Sequence, residues 1–309
     1  MYLASEKYNN VFNNVENEYY YNPDFCESSY IGNIIDELKL LLKDDFEQYE
    51  FVIYSQTPQN SKPAYPFGKS TKKEVVIYLS DEASRIPHEL MRTGAFAVFK
   101  NYLLSDVPYP NLFHLPLGYV NSTPALPVAP VHTRKTNVFF SGALHFARLS
   151  LYQHFTPYNF LPNRIWQRFH RFIYSKTEFD TYYPDSFIRF NKQGFKSGLN
   201  PRDFAAMLYN SKIVICPRGV ISYETFRHFE AMRAGCIIIS EKLPETFFYS
   251  NSPMLILSEW SKLDNVIKHL LANPEEQERL QAATLDWWNN VCSEQAIAQY
   301  IYDKLKALS

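Results

Sequence analysis

Glycine is scarce in this 309-residue sequence, at nine residues, and cysteine scarcer still at four. With 46% hydrophobic and 20% charged residues, such a composition excludes a collagen-like, intrinsically disordered or coiled-coil chain and requires a globular one. Cys26, Cys216, Cys236 and Cys292 lie far apart and form no CxxC pair. Cys216 and Cys236 sit in apolar runs where a reduced, buried thiol is expected, so a reducing cytosol is the default compartment. Charge of one sign is missing too: 31 Lys plus Arg face 32 Asp plus Glu, a net −1. No global field would hold a polyanion, so nucleic acid is not an expected partner and any basic site must be local. The N-terminus lacks a cationic segment followed by an apolar run, and no stretch approaches about eighteen uninterrupted apolar residues. A cytoplasmic protein, soluble or at most peripheral to a membrane, is expected. Internal repeats are absent, and the only biased tract is the Asn/Tyr-rich stretch of the first two dozen residues.

What the chain has in excess is aromatic side chains, 23 Tyr and 24 Phe. They would serve a core, a membrane contact or sugar-stacking platforms. The length favours two packed domains. From residue 31 helical and β-rich runs alternate, the signature of an α/β protein with largely parallel sheets. IGNIIDELKLLLKDDF spaces Ile34, Ile35, Leu38, Leu41 and Leu42 as a helix, and FVIYS and EVVIYLSDE follow as strands. VNSTPALPVAPVHTRKT, with three prolines and no periodicity, reads as a linker at roughly 121–136. Beyond it the alternation restarts with NVFFSG, ALHFARLSLYQHF, FIRFN, PRDFAAMLYNS, KIVICPRG, SYETFRHFEAMRAG, CIIISE and PMLILS. Gly235 stands where a helix end needs a left-handed residue. Domains over 1–125 and 136–285, with a final helical segment over 286–309, are expected. Ligands of open α/β sheets bind beyond the carboxyl ends of the strands, so two facing halves would form a cleft walled by strand-end loops.

Residues 211–245, SKIVICPRGVISYETFRHFEAMRAGCIIISEKLPE, carry the most chemistry. A buried strand runs into Pro217, Arg218 and Gly219. The next helix is expected to hold Glu224, Arg227 and Glu230 on one face near its N-terminus. A helix N-terminus beside arginines that grip phosphate bidentately is an anion site, and Glu230 would accept from ribose hydroxyls. The plain reading is a solvated salt-bridge face.

This segment resembles the donor-nucleotide signature of GT-B glycosyltransferases, and most the exostosin-like branch. There a CPRG-type strand end (Cys216, Pro217, Arg218, Gly219) precedes R-x-x-E-A-x-x-A-G-C, here Arg227, Glu230, Ala231, Ala234, Gly235 and Cys236. Such proteins open the C-terminal domain with a strand, a small-residue pair and an arginine. Leu117 and Gly118, then Ser141, Gly142 and Arg148 are similar, so the likeness spans about residues 112–245. It implies two Rossmann-like domains facing across a cleft, the first on the acceptor side, the second binding a nucleotide sugar, and residues 286–309 packing back on the first. The implied activity is transfer of a hexosyl or pentosyl group from a UDP- or GDP-linked donor to a saccharide or glycolipid acceptor, as in polysaccharide biosynthesis. A CMP-linked acid sugar is the alternative donor. Ser222 stands where many retaining relatives carry a second glutamate, which favours inversion. No DxD motif or His/Cys cluster of ligand spacing is present, so neither metal nor bound cofactor is expected. Arg148, Arg218 and Arg227, with Lys242, would neutralise the leaving diphosphate. A non-catalytic glycan- or nucleotide-binding module of the same fold is the rival reading.

Inversion needs a base from the first domain. Asp81 and Glu82 end the run EVVIYLSDE, expected as a central strand, and His88 and Glu89 follow. Against this, Ser80 or Asp81 would cap the next helix with no chemistry at all. Two other features have two readings each. Arg164, Arg168 and Arg171, with Trp166, Phe169 and Ile173 on another face, form an amphipathic basic helix that would meet an anionic membrane or lie on the core. Trp287 and Trp288 suit helix packing better than sugar stacking. The loop-borne aromatics Tyr65, Phe67, Tyr119, Tyr182, Tyr183 and Phe247 to Tyr249 are the expected sugar-facing surfaces.

Overall fold

The computed structural model describes residues 4–15, 26–55, 66–104, 107–157, 161–162, 165, 176–192 and 198–309. They form two compact units. One comprises Met1–Asn121, Pro244–Ser250 and Asn289–Ser309, the other Ser122–Leu243 and Asn251–Trp288. Each is built on a five-stranded, wholly parallel sheet, so the chain is α/β with two Rossmann-like layers, as the alternating pattern requires.

In the first unit the strands are β1 (Val11–Val15), β2 (Tyr49–Ser55), β3 (Lys73–Leu79), β4 (Ala97–Lys100) and β5 (Leu112–His114), and they lie side by side in chain order. Their central members carry continuous apolar runs, Phe51–Tyr54, Val75–Leu79 and Ala97–Phe99, because both faces are covered. Val52, Val76 and Val98 pack with Leu90 and Met91 on one face. Each such fully buried side chain contributes about 1.5–3 kcal/mol. The Ser28–Leu42 helix buries Ile31, Ile34, Ile35 and Leu38, the stripe that its 3.6-residue period predicts. β1 is an addition to the sequence reading, since it falls within the Asn/Tyr-rich tract. A buried polar residue fixes it: Asn10 donates through Nδ2 to the carbonyls of Phe46 (2.9 Å) and Tyr49 (3.0 Å). The C-terminal Glu294–Leu308 helix lies against Ser28–Leu42. Tyr30, fully buried, donates to the Cys292 carbonyl at 2.6 Å, and the Tyr119 hydroxyl to Glu294 at the same distance.

In the second unit the strands are β6 (Thr136–Ala143), β7 (Ser186–Asn191), β8 (Ser211–Cys216), β9 (Ile237–Glu241) and β10 (Leu255–Leu257), ordered β10-β9-β8-β6-β7. Val138, Phe140, Ile188, Ile213, Ile215 and Ile239 form the core with Leu151, Tyr152 and Leu263. Strand order reverses between β6 and β8. Helices following the two strands therefore diverge to opposite faces and leave a crevice at their carboxyl ends, the usual ligand position in such sheets. The first unit's described strands contain no such reversal. The Phe226–Arg233 helix ends on Gly235 at φ +62, with the Cys236 N–H returning to the Ala231 carbonyl at 2.9 Å, the left-handed stop that the sequence predicts.

Several expected ligand surfaces belong instead to the cores. Tyr119, Tyr183, Phe248 and Tyr249 are buried, and Tyr183 donates to Asp264 at 2.6 Å. Phe67 packs edge-on against Tyr54. Tyr182 and Phe247 stay exposed. Trp288 is buried. Tyr65 and the expected basic helix with Arg164, Trp166, Arg168, Phe169, Arg171 and Ile173 lie outside the described residues. No helix among the described residues is long and apolar enough to cross a membrane.

Gly118 and Gly94 separate steric from conformational demand. Both have positive φ, but a Cβ on Gly118 would run into the Tyr30 ring whereas one on Gly94 meets nothing within 4 Å. Gly94→Ala should cost about 1 kcal/mol in urea unfolding and Gly118→Ala about 2–4 kcal/mol, with overpacking added to backbone strain.

Candidate functional site

Where β6 and β8 end, three arginines converge. β6 terminates in Ser141, Gly142 and Ala143, and a short turn places Arg148, 7% exposed, at the head of the Leu149–His154 helix. β8 ends on Cys216 and the buried Pro217, and the Gly219 N–H closes the following turn on the Ser222 carbonyl at 2.9 Å. Arg218 occupies this turn, and Arg227 is the second residue of the next helix. Gly142 measures how close they come. A Cβ there would lie 2.9 Å from Arg148 Nη1 and 3.0 Å from Arg227 Nη2. A side chain at this position would have to displace the Arg148 guanidinium.

Among the described residues none of these cations forms an ion pair with a carboxylate, although Glu241 and Glu230 act on them through space. Arg148 donates through Nε to the Arg218 carbonyl (2.8 Å) and through Nη1 to that of Ala143 (3.1 Å). Arg218 donates to the Ile221 carbonyl (2.8 Å) and lies 4.0 Å over the Tyr223 ring. Arg227 donates to the Ser141 carbonyl and rests 5.2 Å over Phe140. The Nε atoms of Arg218 and Arg227 are buried without a hydrogen-bond partner. Burial, and then the charge of Arg227, push Arg148 down to about 9, so it keeps its proton at neutral pH. Burial lowers Arg227 as well. Arg134 provides the contrast. More deeply buried at 3% exposed, it directs Nε, Nη1 and Nη2 to the carbonyls of Ala129, Ser211 and Ala234 and braces the linker against β8. A cluster of like charges held by carbonyl dipoles, with buried N–H groups left over, is arranged to receive an anion.

Two expected details are revised. Glu224 is not on the helical face with Arg227 and Glu230, because the helix begins at Phe226 behind Thr225. The Thr225 N–H donates to His228 Nδ1 at 3.1 Å, which sets that start. Nor do Arg227 and Glu230 form the plain salt-bridge pair: Glu230, 5% exposed, accepts from the Thr123 hydroxyl at 2.7 Å. Lys242 is exposed just past β9.

Two residues that the motif reading passed over also belong here. Glu241, at the end of β9, accepts the Arg218 N–H at 2.8 Å and borders a cavity of about 200 Å³ lined by Ser150, Ser258, Glu259 and Trp260. Burial holds its carboxyl above the ordinary range against the pull of Arg218 and Arg148. His145, in the turn after β6, is half-buried with its Nδ1 unpartnered. Its only sequence signal was proximity to Arg148.

The base candidates lie in the first unit, beyond β3. Asp81 pairs at 3.2 Å with Lys100, whose side chain is fully buried at the end of β4, and its Oδ2 also accepts the Arg85 N–H at 3.0 Å. It does not cap a helix, since the next one starts at His88 behind Pro87. Glu82 is exposed. His88 is exposed and shares a 2.8 Å hydrogen bond with the Tyr109 hydroxyl. No hydrogen bond or ion pair links the three. Among the described residues, no group of three or more His, Cys, Asp or Glu is disposed to hold a metal ion.

No protein-family model and no curated protein matches the chain. Among solved structures it is similar to Anabaena HepE in complex with UDP and glucose, at 12% identity over 76% of this chain and 72% of that one, with a TM-score of 0.46. It is also similar to a glycosyltransferase from Rickettsia africae, at 9% identity over 95% and 84% of the two chains, TM-score 0.47. Sucrose-phosphate synthase from Thermosynechococcus elongatus gives 13% identity over 95% and 82%, TM-score 0.44.

Removing one partner of a buried pair leaves an uncompensated charge. Asp81→Asn should lower the unfolding free energy by about 3 kcal/mol in denaturant titrations, and Asp81→Asn with Lys100→Met should recover most of it. A free-standing base at Asp81 would leave stability unchanged.

Proposed function

We propose that the chain is a glycosyltransferase of the GT-B type, similar to the exostosin-like branch, and that its second unit binds a UDP- or GDP-linked sugar. The observation that carries this reading is the convergence of Arg148, Arg218 and Arg227 over Gly142 with only carbonyl acceptors. A diphosphate supplies what the cluster lacks, compact negative charge with oxygens enough for several guanidinium donors. As the glycosidic bond breaks, charge grows on that diphosphate, and fixed cations at a strand-end crevice stabilise it without reorganising. Metal-independent transfer accords with that arrangement. Glu230 would hold the ribose: the hydroxyl bond it accepts from Thr123 is of the kind a ribose hydroxyl makes. Inversion and a saccharide or glycolipid acceptor are parts of the reading that rest on the sequence motif, and peripheral membrane association rests on the basic, aromatic run around Arg164 to Arg171.

One observation favours the second reading, a binding module without turnover. The first base candidate, Asp81, is committed to a buried lysine, and Glu82 and His88 are exposed. Purified protein that hydrolyses or transfers from a nucleotide sugar, with activity lost in a stably folded Glu82→Gln or His88→Gln variant, favours the enzyme; binding without any turnover favours the module.

Nucleoside diphosphates screened by thermal shift should raise the melting temperature by mass action. Arg148→Ala and Arg227→Ala should each weaken calorimetric affinity for the best of them by about 10- to 100-fold, the loss of one charge-assisted grip. Unchanged affinity in both folded variants rules the site assignment out.

A further inference from the structure

One titratable group in the arginine cluster has no role in the donor reading. His145 lies in the turn between β6 and the Leu149–His154 helix, with extended backbone at φ −143 and ψ 169. Its Nδ1 is buried without a hydrogen-bond partner. The charged groups acting on the ring are Arg148, from its own turn, and Arg218, from the loop after β8. The carboxylate that borders the cluster, Glu241, is engaged by the Arg218 N–H.

We propose that His145 is a fourth member of the anion site and takes up a proton from solvent when a diphosphate ligand binds, Nδ1 then donating to a phosphate oxygen. This rests on the donor reading above. Without ligand, burial and the two guanidinium charges push the imidazole down to about 4, so the ring is neutral at physiological pH. Imidazole is the side chain whose ordinary pKa lies nearest neutrality, which makes His145 the natural group here to change charge on binding. An arriving diphosphate cancels the repulsion from Arg148 and Arg218 and gives the orphaned nitrogen an acceptor, and both effects raise its proton affinity. Since the group binds its proton more tightly in the complex than in the free protein, binding consumes a proton. Affinity therefore rises as pH falls through the bound-state pKa and levels off at the free-state value.

The test is calorimetric titration of the full chain with UDP-glucose and with GDP-mannose. Their diphosphates are esterified at both ends and do not titrate near neutral pH. Runs in two buffers of different ionisation enthalpy at about pH 6.5 should reveal uptake of about 0.5–1 proton per ligand, and affinity should fall severalfold from about pH 6 to about pH 8. His145→Asn and His145→Gln, with folding checked by thermal melting, should bind more weakly and without uptake. Identical apparent enthalpies in the two buffers for the wild-type protein overturn the proposal without recourse to a variant, as does uptake that persists in either folded variant. Binding without uptake removes this inference alone, whereas failure of both probes to bind removes the donor reading and the inference with it.

Discussion

Two guanidinium groups sharing the space over a single glycine impose the constraint on which the second unit turns. Arg148 and Arg227 repel each other, and burial deprives both of the water that would screen them. Backbone carbonyls at the ends of β6 and β8 hold them: Ser141, Ala143 and Arg218 each present an oxygen to one of the two. Those carbonyls point into one place only because strand order reverses between β6 and β8. Gly142, the turn at Gly219 and the helix start at Thr225 all serve this arrangement.

The two units treat a buried cation in opposite ways. In the first, Lys100 at the end of β4 meets Asp81, so the charge is neutralised internally and little is left for a ligand. In the second, carbonyl dipoles orient the arginines without cancelling their charge, and two Nε atoms and His145 Nδ1 remain unpartnered. Arg134 establishes that this is not simply how the fold accommodates arginine, because all three of its donor nitrogens reach carbonyls. The distinction between a structural and a ligand-ready cation thus lies in its hydrogen-bond complement, not in its burial.

The abundance of aromatics divides along the same line. Most complete the cores: Tyr30, Tyr152, Phe139, Phe140, Phe190 and Phe229 are fully buried. Phe140 also forms the floor beneath Arg227, and Tyr223 flanks Arg218. In these two places aromatic faces orient guanidinium planes and leave their edges to other acceptors.

Local pattern determined much of this molecule. Alternation and 3.6-residue spacing identified the central strands and the Ser28–Leu42 helix, because both faces of a parallel sheet and one face of a helix must be apolar wherever they occur. The run from Cys216 to Cys236 marked the strand, turn, helix and left-handed stop, since caps and turns depend on a few adjacent residues. Tertiary structure alone decided which charges meet. It took Glu224 off the helix, joined Asp81 to Lys100, gave Glu230 to Thr123, added β1 to the first sheet and set His145 between arginines some 70 residues apart in the chain. A side chain's propensity acts over a few neighbours, whereas its electrostatic surroundings are summed over everything folding brings within a few ångströms, and the sequence alone does not carry that sum.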